Sequence, residues 1–248
     1  MNAPMTNPHG PATRQPVFNL PRVVGALIAL MLAIHAGRVF FLNSDNDLQV
    51  ILAFAFIPIR ETQPDLFAGM AALGDGARVW SFLTYAFLHG DWAHVGLNCV
   101  WLAAFGSPVA RRFGATRFLL YAAVGAIAGA AIHLAIFPHS QVPVVGASAG
   151  ISALMAGAAR FVFQARGPMW SLGGFDAYRQ PAAPLTEIVR DGRVMAFLAV
   201  WFGVNIIFGL TGGAGLAEGG VAWDAHIGGF LAGLLLFRLF DPVPGPAI

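Results

Sequence analysis

The chain has 248 residues, of which 57% are hydrophobic and only 10% charged, with a formal net charge of +2. Soluble domains carry about 25% charged residues, and here the apolar residues fall in long runs. The composition therefore argues against a soluble enzyme and for a polytopic membrane protein. The basic residues are spread out, with no patch for nucleic acid, and the single cysteine, Cys99, rules out an intramolecular disulfide and a cysteine-based metal site.

Length allows one compact bundle and leaves little for a second domain. Residues 1–21 are rich in Pro, Asn and Thr, lack periodic apolar positions, and read as a disordered tail. The apolar run Val23 to Leu42 exceeds the apolar region of a signal peptide, so it is expected to be a retained first span. Residues 43–90 form a long connection, partly apolar and punctuated by Asp, Pro and Gly. Long structureless loops are uncommon, which predicts short interfacial helices here, with Trp80, Phe82, Tyr85 and Phe87 at headgroup level.

Five further spans are expected near Trp92 to Val109, Phe118 to Phe137, Val145 to Phe163, Met195 to Leu210 and Val221 to Phe240. Glycine pairs at four-residue spacing recur in them: Gly125 and Gly129, Gly146 and Gly150, Gly229 and Gly233. That spacing lets helix backbones approach closely. The predicted membrane domain is 22–240, followed by a short tail, 241–248.

Every basic residue is arginine, a usage that fits the coding bias of a GC-rich bacterium. With the N-terminus in the cytoplasm, Arg14, Arg22, Arg111, Arg112, Arg117, Arg160, Arg166, Arg179, Arg190, Arg193 and Arg238 fall on or near the inner side. Arg38, Arg60 and Arg78 fall on the other, in agreement with the positive-inside rule. The expectation is a multi-pass protein of a bacterial cell (inner) membrane with both termini cytoplasmic.

Polar groups inside spans are costly, so each one is a candidate site. In Pro143-Val-Val-Gly-Ala-Ser148-Ala-Gly, Ser148 stands near the start of the fourth span. There the free N–H groups and the positive end of the helix dipole would favour an oxyanion; small residues, Ser included, would equally serve close packing. His94 and Asn98 share a face of the second span. They could stabilise a developing negative charge or act as interhelical glue. His226, Gly229 and Gly233 share a face of the sixth span, where the glycines would permit close packing against the fourth. The imidazole could then serve Ser148 as general base, or be a proton relay or a core residue. His9, His35, His89, His133 and His139 read as structural or solvated, and Asn205 in the fifth span as glue. No acidic residue lies at the middle of a span, which weighs against an ion-coupled transporter and leaves no embedded carboxylate to orient His226. No His or carboxylate cluster has metal-ligand spacing, and no cofactor is implied.

Phe87-Leu-His-Gly-Asp-Trp-Ala-His94-Val-Gly-Leu-Asn98, Gly146-Ala-Ser148 and Ala225-His226-Ile-Gly-Gly, in that order on the second, fourth and sixth spans, resemble the signatures of rhomboid intramembrane serine proteases. The resemblance covers roughly residues 22–240. It implies an all-α, six-transmembrane-helix bundle with a long, partly helical first loop. It also implies Ser148 as nucleophile and His226 as general base of a dyad. His94, Asn98 and the backbone N–H of Ser148 would form the oxyanion hole, with Gly146 and Ala149 supporting, and the fifth span would border the substrate gate. Three positions depart from the family pattern: Ala149 where glycine usually follows the serine, Ser81 in place of an arginine after Trp80, and Ser152 where some relatives carry a tyrosine under the histidine. The Ala149 methyl would crowd the oxyanion site.

The implied activity is an intramembrane serine endopeptidase acting near the outer face of the lipid bilayer. A substrate helix has its backbone groups paired internally, so cleavage needs local unwinding, and single-span proteins with Gly, Pro or small residues near the outer interface are the expected substrates. The alternatives are a catalytically inactive rhomboid-like protein that binds membrane clients, and a small-solute transporter, whose inverted repeats and midplane charges are not found.

Overall fold

The computed structural model describes residues 20–67, 76–164, 167, 169, 175–211 and 221–244. The predicted tail lies, up to residue 19, outside the described residues, as do residues 245–248 of the predicted C-terminal tail.

The described chain is helical. Helix α1 (Arg22–Phe41) is followed by α2 (Ser44–Phe54), α3 (Pro58–Thr62), a 3₁₀ turn at Pro64–Phe67, α4 (Gly76–Thr84) and a 3₁₀ turn at Tyr85–Phe87. The long first connection is thus built from short helices, as its composition predicts. Helices α5 (Trp92–Trp101) and α6 (Ser107–Phe113) form one span joined by a π-helical turn at Leu102–Gly106. Pro108 follows that turn; it has no N–H to offer the Ala104 carbonyl, which favours a locally opened helix. Gly114, at φ 75°, ends this span and donates its N–H to the Ala110 carbonyl at 3.0 Å, the left-handed conformation that glycine adopts without strain. Then come α7 (Ala115–Ile136), α8 (Ser148–Ala159), a 3₁₀ turn at Phe175–Arg179, α9 (Leu185–Ile188), α10 (Gly192–Thr211) and α11 (Trp223–Phe240).

Among the described residues, four helical stretches are long and apolar enough to cross a membrane: Arg22–Phe41, Trp92–Phe113, Ala115–Ile136 and Trp223–Phe240. Two further apolar helices, Ser148–Ala159 and Gly192–Ile207, are shorter. The fourth predicted span is therefore only 12 residues of helix, beginning at Ser148 rather than at Val145.

Its environment accounts for its length. Every residue of α8 from Ala149 to Ala159 is buried, so it meets protein rather than lipid on all sides and need not match the bilayer. Glycines on both neighbours admit it. A Cβ added to Gly129 of α7 would stand 2.5 Å from the Ala149 Cβ, and one added to Gly233 of α11 would stand 2.5 Å from the Ala153 Cα. Gly125 faces Ala153 and Gly229 faces the Ala149 carbonyl in the same way. The small-residue spacing in the sequence is thus a groove on α7 and another on α11, with α8 held between them. The Ala149 methyl, expected to crowd the oxyanion site, is taken up against Gly129 instead.

The start of α8 is fixed from the first connection. Phe56 and Val144 exchange backbone hydrogen bonds at 3.1 and 2.8 Å, the Ile59 N–H donates to the Ser140 carbonyl at 3.0 Å, and the Gly146 N–H donates to the Tyr85 carbonyl at 3.0 Å. Tyr85 is itself anchored, its hydroxyl donating to the Ala126 carbonyl at 2.8 Å. Buried Arg60 holds the bend of the connection by donating to the carbonyls of Leu52 and Ala55 at 2.6 and 2.8 Å. Trp80 adds a bond from its indole N–H to the Ala53 carbonyl at 2.8 Å, while Ser81 is buried beside it.

At the opposite end, the last turns of α6, α8 and α11 come together. Arg112 pairs with Asp241 at 2.8 Å and donates to the carbonyls of Tyr178 and Gln180, both at 2.8 Å. Arg160 donates to the Ala183 carbonyl at 2.8 Å, its guanidinium 5.0 Å from the centre of the Phe237 ring.

Candidate active site

Ser148 opens α8, and its half-buried side chain faces α11. Helix geometry leaves the first-turn N–H groups without acceptors inside the helix, and the positive end of the dipole lies here. Just ahead, Gly146 has φ 118°, a conformation that a residue with a Cβ adopts only under strain. Space forbids a side chain there as well, since a Cβ on Gly146 would meet His94 Nε2 at 2.6 Å and approach Asn98 Nδ2 to 3.8 Å. The turn before Ser148 is therefore pressed against the two polar side chains of α5.

Those two side chains are set by the start of α5. Asp91 caps the helix, its carboxylate accepting from the His94 N–H at 2.7 Å, which satisfies one of the unpaired donors of the first turn. The Gly90 N–H approaches His94 Nδ1 at 3.5 Å. This long contact makes Nδ1 the acceptor and leaves Nε2 to carry the ring proton toward Gly146. Asn98 is buried and donates one amide hydrogen to the His94 carbonyl at 3.1 Å, keeping the second for another partner.

His226 comes from α11, one turn from its start. Its Nε2 lies 2.7 Å from Ser148 Oγ. Its Nδ1 is hydrogen-bonded to Asn205 Oδ1 of α10. Asn205 is buried, and its Nδ2 donates to the Trp201 carbonyl one turn back at 2.8 Å. Ser152, the departure beneath the histidine, donates to the Ser148 carbonyl at 2.8 Å and so secures the first turn of α8. Ser148, His94, Asn98 and His226, picked out from the sequence, thus converge around one short turn.

A Rhomboid domain family model matches residues 76–241. The chain belongs to the rhomboid family. It is 41% identical over 80 residues to human rhomboid-related protein 3, a match covering 32% of this chain and 19% of that protein. It is 29% identical over 158 residues to the mitochondrial rhomboid protein 1 of Saccharomyces cerevisiae, covering 62% of this chain and 40% of the yeast protein. The matches therefore span well under two thirds of these relatives. Family membership and the apolar spans make the chain an integral membrane protein, either a rhomboid intramembrane protease or an inactive relative.

Two features of this candidate site escape a reading of the sequence. Asn205, expected as glue, contacts His226 directly; the two lie 21 positions apart on different helices, so no local spacing links them, and the only signal is a polar residue within a span. His133 and Asp224 form a buried pair at 2.7 Å between α7 and α11, which ties the start of α11 to α7 two residues before His226. His89, read from the sequence as structural or solvated, is fully buried. Its ring stands edge-on to that of His94, the centroids 5.1 Å apart, and burial pushes its pKa down to about 3. Among the described residues, no three His, Cys, Asp or Glu side chains come together in a way that could hold a metal ion.

Proposed function

We propose that this rhomboid is an active intramembrane serine endopeptidase that cleaves single-span membrane proteins near the outer membrane face with a Ser148–His226 dyad. The observation that carries the reading is the 2.7 Å separation of His226 Nε2 from Ser148 Oγ, within the reach that a base needs to take a hydroxyl proton.

In this mechanism Ser148 Oγ attacks the scissile carbonyl carbon while its proton passes to His226 Nε2. The carbonyl oxygen becomes an oxyanion facing His94 Nε2–H, the spare amide hydrogen of Asn98 and the backbone N–H of Ser148, donors preset at the positive end of α8. The tetrahedral adduct collapses, the C–N bond breaks, and His226 gives its proton to the departing amine. Water then loses a proton to His226 and attacks the acyl ester, and Ser148 leaves with that proton.

The arginine distribution supports a site on the outer side with both termini cytoplasmic. The placement in a bacterial inner membrane rests on the exclusive use of arginine, and the membrane domain is taken as 22–240 with short tails on either side.

A fluorophosphonate probe on detergent-solubilised protein tests the reading. The expected result is labelling of the wild type, none of Ser148→Ala, and cleavage of members of a single-span substrate panel by the wild type alone. A folded wild type that neither takes the probe nor cleaves any substrate would be an inactive rhomboid.

A further inference from the structure

We propose that Asn205 is a positioning residue for His226, its side-chain carbonyl holding the imidazole in the tautomer whose Nε2 is free to accept the Ser148 proton. The inference rests on the protease reading and extends the dyad by a third member drawn from the fifth span.

The argument starts at Trp201. An amide side chain can present either its oxygen or its nitrogen to a neighbour, and the surrounding bonds decide which. Asn205 Nδ2 donates to the Trp201 carbonyl at 2.8 Å, which turns Oδ1 toward His226. Oδ1 only accepts, so the His226 Nδ1 bonded to it must carry the ring proton. A neutral imidazole has one proton, so Nε2 presents its lone pair to Ser148 Oγ at 2.7 Å. The chain of bonds therefore has a direction, from the serine hydroxyl through the ring to the amide and on to a helix carbonyl. When the ring gains the serine proton, Nδ1–H still donates to Oδ1, so the imidazolium keeps its orientation through the reaction. Buried Asp224, the acidic residue nearest in sequence, is paired with His133 instead. Burial of Asn205 keeps water from competing for Nδ1.

Positioning and packing roles predict opposite orders of damage. Asn205→Leu keeps the branched shape and removes the acceptor; Asn205→Asp keeps the acceptor and adds a charge that a packing site would tolerate worst. We expect Asn205→Leu to fold, to leave KM nearly unchanged and to lower kcat roughly 10- to 100-fold, part of the 10²–10⁴ that a positioned base contributes. Asn205→Asp should retain more kcat than Asn205→Leu. A wild-type kcat in Asn205→Leu, or an Asp variant that folds but cleaves worse than the Leu variant, would overturn the proposal.

A second measurement does not depend on activity or on the folding of either variant. In protein carrying ¹⁵N-histidine, with His226 assigned by difference from His226→Ala, Nδ1 should show a protonated-nitrogen shift and Nε2 an unprotonated one. An Nε2–H tautomer in the wild type would sink the inference. Wild-type protein that fails to take a fluorophosphonate would count against the protease reading alone, since the tautomer still reports on the Asn205 bond.

Discussion

At the scale of single residues, the site's roles separate by what each removal should cost. Ser148→Ala and His226→Ala should each abolish cleavage while the protein stays folded. If the two groups act as one unit across their 2.7 Å contact, as proposed, the double mutant should be hardly slower than either single mutant. Losses that multiplied would break the dyad. His94 and Asn98 should affect rate more than binding. Removal of one oxyanion donor costs about 10²–10³ in kcat, and with several donors present Asn98→Ala should fall at or below the lower end. Early melting with undiminished kcat in both variants would make them packing residues. His89 gives a pH effect instead. Its folded pKa, about 3, lies below the ordinary histidine value of about 6.5, so between those values the unfolded chain binds more protons than the folded one. Stability should therefore fall as pH drops from about 6.5 toward 3, with a limiting slope of about 1.4 kcal/mol per pH unit from this group. His89→Phe should flatten the melting-temperature profile across that window. Ser148, His94, Asn98 and His226 each stand in a short motif that resembles a family signature, so the sequence singles them out. Asn205 stands in no such motif, and only the packed bundle brings it to His226.

At the scale of helices, the glycine spacing was legible and its consequence was not. Four-residue glycine pairs announce close packing, but they do not say that one short helix receives glycines from both sides. Helix α8 is shorter than the expected span, Val145 to Phe163, for the same reason. An apolar run reads as a span whether lipid or protein surrounds it, and only burial of the whole helix distinguishes the two. The groove makes a testable link between packing and chemistry, since α8 carries Ser148 and α11 carries His226. Gly233→Ala would drive a methyl to within 2.5 Å of the Ala153 Cα, where the neighbour is backbone and cannot turn aside. We expect a loss of about 1–3 kcal/mol, typical of overpacking, with lower activity as α11 is pushed from α8. Gly96→Ala on α5 is the control, with nothing within 4 Å of the new methyl; it should leave melting temperature and activity nearly unchanged. Equal tolerance at both positions would mean that α8 and α11 have room to separate.

At the scale of the whole molecule, the two ends of the bundle differ in kind, and the difference bears on how it lies in the membrane. The end carrying Ser148, His94 and His226 is closed by the first connection, where backbone bonds from Phe56 and Ile59 reach the segment before α8. The other end gathers Arg112, Arg160 and Asp241, whose guanidinium and carboxylate groups close the last turns of three helices. Some of its arginines are thus committed to packing, and Arg112 is completely buried. The positive-inside rule counts residues by sequence position and does not separate such arginines from those free to face lipid headgroups. Arg22, Arg117, Arg190 and Arg238 belong to the same side by sequence, so the bias survives when Arg112 and Arg160 are set aside. A reporter fused after Ile248 should then be cytoplasmic. A cysteine at Ser140, which is half-buried in the segment leading to α8, should be labelled by an impermeant reagent from outside in a Cys99→Ala background. The reverse labelling would turn the molecule over and put Ser148 toward the cytoplasm. Substrates would then be met near the inner face, and the arginine-rich end would have to be explained by packing alone.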